Sequence, residues 1–97
     1  MQVCVDLESP LIGKICYNNW TIYILYNCSI DLVKQYLKEI DCPFSVLDKI
    51  ESTDNLGFTY SNYSLKRSII SIKYTNSISD FINTLSHECT HLVFHIN

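Results

Sequence analysis

The residues best suited to chemistry lie close together near the end of the chain, in the run His87-Glu88-Cys89-Thr90-His91. Two histidines four positions apart on a helix lie one turn above each other, so both can direct a nitrogen at one metal ion. Zinc suits such a pair, because it takes imidazole nitrogens at about 2.0–2.1 Å in a tetrahedral shell. Glu88 follows His87 by about 100° around the helix, so its carboxylate can lie beside the metal without binding it.

This spacing predicts metal-assisted hydrolysis. A zinc ion lowers the pKa of a bound water towards about 7 and polarises a carbonyl group, while Glu88 acts as general base and later passes the proton to the leaving amine. Chance recurrence of histidine on an exposed helix face is the alternative. The metal site is favoured because all three histidines of the chain fall between His87 and His95, and because a predicted strand precedes the helix.

A third zinc ligand is not evident from the sequence. His95 continues the same helix face, but His87 and His95 are separated by about 12 Å of helical rise, which makes convergence of three histidines on one ion difficult. His95 is therefore a candidate third ligand, a supporting residue around the ligands, a transition-state donor or a surface residue. The carboxylates of Asp6, Glu51 and Asp54 are further candidates, and nothing in the sequence selects among them.

A helix from about Ser77 to the C-terminus must position these residues. Ser77 followed three residues later by Asp80 is a weak form of the capping box. At about 100° per residue, the three histidines and Glu88 share one sector and the apolar residues lie beside it. The apolar sector contains Phe81, Ile82, Leu85, Cys89, Leu92, Val93 and Ile96. We expect this apolar face to pack on a sheet and the other to present the imidazoles and the carboxylate.

The N-terminal half is predicted to be a strand-rich segment followed by a helix. Gln2–Asp6 has the alternation of a short strand. Asn18-Asn19 favours a tight turn between strands at Gly13–Tyr17 and Trp20–Asn27, because asparagine tolerates positive φ. Ser29 is a candidate N-cap for a helix that Pro43 would stop.

The following segments complete the predicted order. Phe44–Glu51 is ambiguous between a helical turn and a loop, whereas Gly57–Tyr60 and Arg67–Tyr74 have the composition of strands joined by the polar Ser61–Lys66. The order β-β-β-α-β-β-α predicts one α+β domain over residues 1–97. We expect a small, mostly antiparallel sheet with one packing helix and a C-terminal helix that carries the site.

Composition excludes several classes of protein. The net charge of −3 and the scattered basic residues argue against a nucleic-acid partner. The acidic N-terminus and the absence of a long apolar run predict a soluble, cytoplasmic chain without targeting segment or membrane span. Five cysteines without a C-x-x-C pair indicate reduced thiols, and Cys89, on the apolar side of the helix, is expected to be a core thiol.

Several segments resemble a family of small zincin-like proteins encoded by phages and mobile elements of Bacteroides-type gut bacteria. They are Asn55-Leu56-Gly57-Phe58-Thr59-Tyr60-Ser61-Asn62, Arg67-Ser68-Ile69-Ile70, and Phe81-Ile82-Asn83-Thr84-Leu85 running into the histidine motif and Leu92. The resemblance covers about residues 54–97. It implies a gluzincin-type metallopeptidase that acts on a peptide or protein substrate, in which His87 and His91 bind zinc and Glu88 is the base.

In that family the chain continues to a second helix that supplies a glutamate as third ligand. The present sequence ends at Asn97. The resemblance therefore leaves three alternatives: a truncated version, a split gene with a partner chain, or a protein that has lost catalysis. The last would be a non-catalytic zincin-fold component with a structural or cargo role, in the host cytoplasm or associated with a virion.

The aromatic segment around Gly57–Tyr63 has two interpretations. In zincins a strand near the active-site helix is an edge to which a peptide substrate adds, and Gly57–Tyr60 or Arg67–Tyr74 is a candidate for that strand. Tyr60 or Tyr63 is then a candidate donor to the oxyanion. The alternative is that these tyrosines pack a half-buried sheet surface.

Overall fold

The computed structural model describes residues 8–52 and 56–96, which form four strands and three helices. The elements are β1 (Leu11–Tyr17), β2 (Trp20–Tyr26), α1 (Ile30–Glu39), α2 (Phe44–Ser52), β3 (Gly57–Asn62), β4 (Arg67–Ile72) and α3 (Ile78–Ile96). The strands form one mixed sheet in the order β1-β2-β4-β3. The pairs β1–β2 and β3–β4 are antiparallel and β2–β4 is parallel, so the prediction of an α+β fold with a mostly antiparallel sheet is confirmed. The predicted strand at Gln2–Asp6 lies outside the described residues.

The first hairpin forms as its sequence predicted. Asn18 and Asn19 adopt φ values of 49° and 69°, as required for a two-residue turn that matches the twist of the strands it connects. Tyr17 then pairs with Trp20 and the register continues to Leu11 opposite Tyr26. The asparagines thus set the pairing of β1 with β2.

Helices α1 and α2 cover one face of the sheet. Ser29 caps α1, because its hydroxyl accepts a hydrogen bond of 3.2 Å from the Leu32 amide. The ambiguous segment after Pro43 is helical, so the prediction of a single packing helix was wrong. The segment is helical because Leu47 and Ile50, three positions apart, then lie on one face and both pack into the core. That core contains Leu25, Val33, Leu37, Ile40, Cys42, Leu47, Ile50 and Ile69.

Helix α3 packs on the opposite face, against β3 and β4, so the molecule has helices on both sides of the sheet. The core on this side contains Trp20, Ile22, Tyr26, Ile70, Ile72 and Leu92, with Phe81, Leu85, Cys89 and Ile96 packed around it. Ser77 caps α3 through a hydrogen bond of 3.1 Å from the Asp80 amide to its hydroxyl. None of the helices in residues 8–52 and 56–96 combines the length and apolar character that a membrane crossing requires.

The inward face of α3 agrees with most of the predicted apolar sector and differs at its margins. Ile82 and Val93 are 53% and 54% exposed, whereas Glu88, predicted on the polar face, is only 5% exposed. The helix is therefore rotated towards its histidine side. The cause lies in β3, whose residues facing α3 are small and polar, so the strand accommodates a carboxylate where a larger apolar side chain would exclude it.

Candidate metal centre

The imidazoles of His87 and His91 converge in the structure. Their Nε2 atoms lie 3.1 Å apart, and the rings are nearly perpendicular with centroids 4.7 Å apart. Two nitrogens held at zinc–nitrogen distances in a tetrahedral shell would be separated by about 3.3 Å. The pair therefore has the spacing of two zinc ligands, on the exposed side of α3.

Glu88 lies next to this pair but is held from the opposite side by the sheet. Its Oε1 accepts a hydrogen bond of 2.8 Å from the hydroxyl of Thr59, which also lies 3.3 Å from the Glu88 carbonyl oxygen. A buried carboxylate needs such a donor, because loss of its hydration is otherwise uncompensated. Thr59 thus fixes the position of the carboxylate that the sequence predicts as the general base.

Gly57 provides the space in which Glu88 lies. A Cβ at this position would be 3.0 Å from Thr84 Cγ2 and 3.2 Å from both Cγ and Oε2 of Glu88. The glycine has no positive φ, so its role is close approach of helix and strand and not an unusual backbone conformation. A side chain at position 57 would therefore displace the carboxylate or push α3 away from β3.

An open cleft of about 710 Å³ joins these groups between α3 and the edge strand β3. It is lined by Leu56, Gly57, Phe58, Thr59, Asn83, Thr84, His87, Glu88, His91 and His95. The two histidines, the carboxylate and a strand backbone therefore border one accessible volume. A carboxylate can move protons and a strand backbone can bind an extended peptide, and both groups border this cleft.

His95 lines the same cleft but is engaged elsewhere. Its Nδ1 lies 2.6 Å from the hydroxyl of Ser61, which in turn lies 2.7 Å from the hydroxyl of Ser68. Within residues 8–52 and 56–96 no group of three potential metal ligands is assembled. His95 thus lines the cleft beside the histidine pair and is held by Ser61 on β3. This position fits a residue that supports the metal ligands.

The other predicted ligands are not described. Asp6, Asp54 and the side chain of Glu51 lie outside the described part of the chain. Their roles as third ligand stay predictions.

The two tyrosines occupy different positions. Tyr60 faces α1 and α2, where it packs against the core on that side, and burial raises the pKa of its hydroxyl. It therefore lies across the sheet from the histidine pair, because successive strand residues point to opposite faces, and the predicted role as oxyanion donor does not fit this position. Tyr63 is exposed in the β3–β4 turn, with its ring 6.0 Å from that of His95.

Cys89 lies half-buried against the core beneath α3. Burial raises the pKa of its thiol, and the neighbouring Glu88 carboxylate raises it further. A thiol kept protonated in this way is a poor metal ligand. This position agrees with the expected core thiol.

Sequence reasoning missed the partners that β3 and β4 supply. Gly57, Thr59 and Ser61 alternate with Phe58 and Tyr60, so one face of this strand is small and polar and the other is aromatic. That alternation was a usable signal, because a half-buried strand with a polar face must place its hydroxyls against polar partners.

Comparisons of the chain with protein-family models, with curated proteins and with solved structures found no match. The function of the cleft is therefore inferred from its own residues and their geometry.

Proposed function

We propose that this chain is the core of a zinc-dependent metallopeptidase with a zincin-like fold. The observation that carries the proposal is the convergence of the His87 and His91 Nε2 atoms, 3.1 Å apart, on the cleft that also contains the Glu88 carboxylate. A chance recurrence of histidine on a solvated helix would require neither the convergence nor a buried carboxylate at the adjacent position.

His87 and His91 would hold the metal ion. When bound, zinc supplies Lewis-acid chemistry, polarising a carbonyl group and favouring ionisation of water. Glu88 then serves as the proton carrier. Its Oε1 is occupied by Thr59, and its Oε2, next to Gly57, is the atom left to accept a proton from water and deliver it to the departing amine.

Strand β3 is the proposed substrate-binding edge. It pairs with β4 on one side, and in the described part of the chain no strand pairs with its other side, which borders the cleft. An extended peptide could add there as a further strand, bound through backbone hydrogen bonds. The alternative edge predicted at Arg67–Tyr74 does not fit, because β4 lies between β2 and β3.

A non-catalytic role is the second candidate, and one observation favours it. The described residues bring only two imidazoles, and no third potential ligand, to the metal position. A zincin-like component of a phage or mobile element, with a structural or cargo role, would need no complete metal shell. The same observation suits an enzyme core whose remaining ligand comes from a partner chain or further sequence.

Metal analysis tests the proposal first. Untagged protein should bind zinc more weakly than a three-ligand site, and the His87→Ala, His91→Ala double variant should lose that zinc. Glu88→Gln should retain it, because Glu88 is not proposed as a ligand. Equal zinc content in the wild type and the double variant would remove the metal site.

Digestion of a broad peptide library with added zinc tests catalysis. We expect little cleavage by this chain alone, because the described residues supply two protein ligands, which leave the ion loosely held. An extended form carrying a downstream glutamate helix should cleave, and its Glu88→Gln variant should not. If the extended form binds zinc fully and still cleaves nothing, the non-catalytic role is favoured.

A further inference from the structure

A chain of three side chains connects the sheet interior to the cleft. Ser68 on β4 and Ser61 on β3 are directly opposite in the strand register, and their hydroxyls lie 2.7 Å apart. Ser61 continues to Nδ1 of His95 at 2.6 Å. Ser68 is completely buried, whereas His95 lines the cleft.

Burial of Ser68 sets the direction of these hydrogen bonds. Among the described residues, Ser61 is the one hydrogen-bond partner of the Ser68 hydroxyl. A buried hydroxyl proton without an acceptor is costly, so Ser68 donates to Ser61. Ser61 has a single proton of its own, which is then directed to Nδ1 of His95.

The tautomer of His95 follows from this direction. Because Nδ1 accepts a hydrogen bond, the neutral ring carries its proton on Nε2. Tyr63 packs against the His95 ring and itself contacts Trp20, with ring centroids 6.0 Å and 5.8 Å apart, which restricts ring rotation. Within the described part of the chain, Nε2 of His95 has no hydrogen-bond partner.

We propose that Ser68, Ser61 and His95 form a directional relay that holds His95 as a neutral Nε2–H donor for a carbonyl oxygen of a peptide in the cleft. His95 is the group that touches the ligand, and Ser61 and Ser68 are positioning residues. The identity of the ligand rests on the proposed function, whereas the relay itself does not. Because the His95 ring is uncharged in this form, it can donate a hydrogen bond to a ligand that carries no negative charge.

Nitrogen NMR of the imidazoles tests the relay. The chain has three histidines, so three ring systems are expected and can be assigned with single His→Gln variants. At about pH 8, His95 should show a protonated Nε2 and an unprotonated Nδ1. Ser61→Ala should move both His95 nitrogens towards averaged values, and Ser61→Thr, which keeps a hydroxyl, should restore them. Ser64→Ala, at an exposed turn serine, is the matched control and should change neither.

Titration with N-methylacetamide, the smallest peptide-bond analogue, tests the donor without zinc or turnover. The Nε2 resonance of His95 should shift with increasing amide, and the shift should be reduced in Ser61→Ala but unchanged in Ser64→Ala. A protonated Nδ1 in the wild type would overturn the relay. A correct tautomer with no response of Nε2 to the amide would overturn the donor role. Failure of zinc binding or peptide cleavage would leave both of these results unaffected, so the two proposals fail separately.

Discussion

The hydroxyl of Thr59 lies 2.8 Å from Oε1 of Glu88 and joins an edge strand to the carboxylate of the histidine motif. The two residues are 29 positions apart in sequence. Since Glu88 is almost fully buried, this contact replaces hydration that the carboxylate loses on folding. It also holds the carboxylate between α3 and β3, at the lining of the cleft, and leaves Oε2 as the oxygen that Thr59 does not contact.

Thr59→Val should destabilise the protein by about 1–3 kcal/mol, because it leaves a buried carboxylate without its hydroxyl donor while keeping the β-branched shape. Thr59→Ser, which retains the hydroxyl, is the matched control and should cost less. Urea unfolding of the two variants gives the comparison. Equal losses for valine and serine would show that packing of the threonine methyl, and not its hydrogen bond, matters at this position.

Gly57→Ala should destabilise the protein by about 1–3 kcal/mol, because the added methyl group would overlap Thr84 and Glu88. The control is Gly13→Ala on β1, where the nearest atom to an added Cβ is Ile24 Cβ at 3.9 Å, an ordinary contact. Thermal and urea unfolding should separate the two variants. Equal tolerance of both substitutions would contradict close packing of α3 on β3.

Leu92→Ala should cost about 2–5 kcal/mol, because Leu92 is 7% exposed in the core beneath α3. Val93→Ala, at the adjacent and exposed position, should stay within about 0.5 kcal/mol of the wild type. The free energy of unfolding in urea measures both. A larger loss at Val93 than at Leu92 would mean that the helix is rotated relative to the structure.

The cysteines should differ in their rates of reaction with a soluble thiol reagent. Burial raises the pKa of the thiols of Cys28, Cys42 and Cys89, so less of the reactive thiolate is present at pH 8, and access is also restricted. In a Cys4→Ser background, we expect one fast equivalent from the exposed Cys16 and three slow ones. Raising the pH should narrow the difference in reaction rate between Cys16 and the three slow cysteines, because the thiolate fraction of the slow cysteines then increases.

Uniformly fast reaction of all four thiols in the folded protein would contradict this order. Reaction in concentrated urea, where all four should react quickly, is the control for reagent access.

Local features of the fold could be predicted from the sequence because neighbouring residues cause them. The asparagine pair at Asn18 and Asn19 adopts positive φ through its own side chains, and Ser29 and Ser77 cap helices through amides three residues away. The four-residue spacing of His87 and His91 likewise brings their side chains together once the segment is helical. These features depend on short-range geometry, which the order of residues specifies.

Tertiary structure decided which side of α3 faces the sheet. Most of the predicted apolar face packs inward, but Ile82 and Val93 at its margin are exposed, whereas Glu88 is buried. Periodicity describes a helix surface but not the shape of what packs against it. The approach of β3 through Gly57, and the donor Thr59 on that strand, decided the orientation.

The sequence by itself therefore determined the helix, its histidine pair and the adjacent carboxylate, because four-residue spacing on a helix leaves little freedom. The partners of these residues were decided only by the fold. Thr59 and Ser61 reach Glu88 and His95 across 29 and 34 positions, and Tyr60 is turned to the opposite face by the alternation of the strand between them. Contacts of this kind arise from the pairing of β3 with β4 and the packing of α3 above them, which no local pattern encodes.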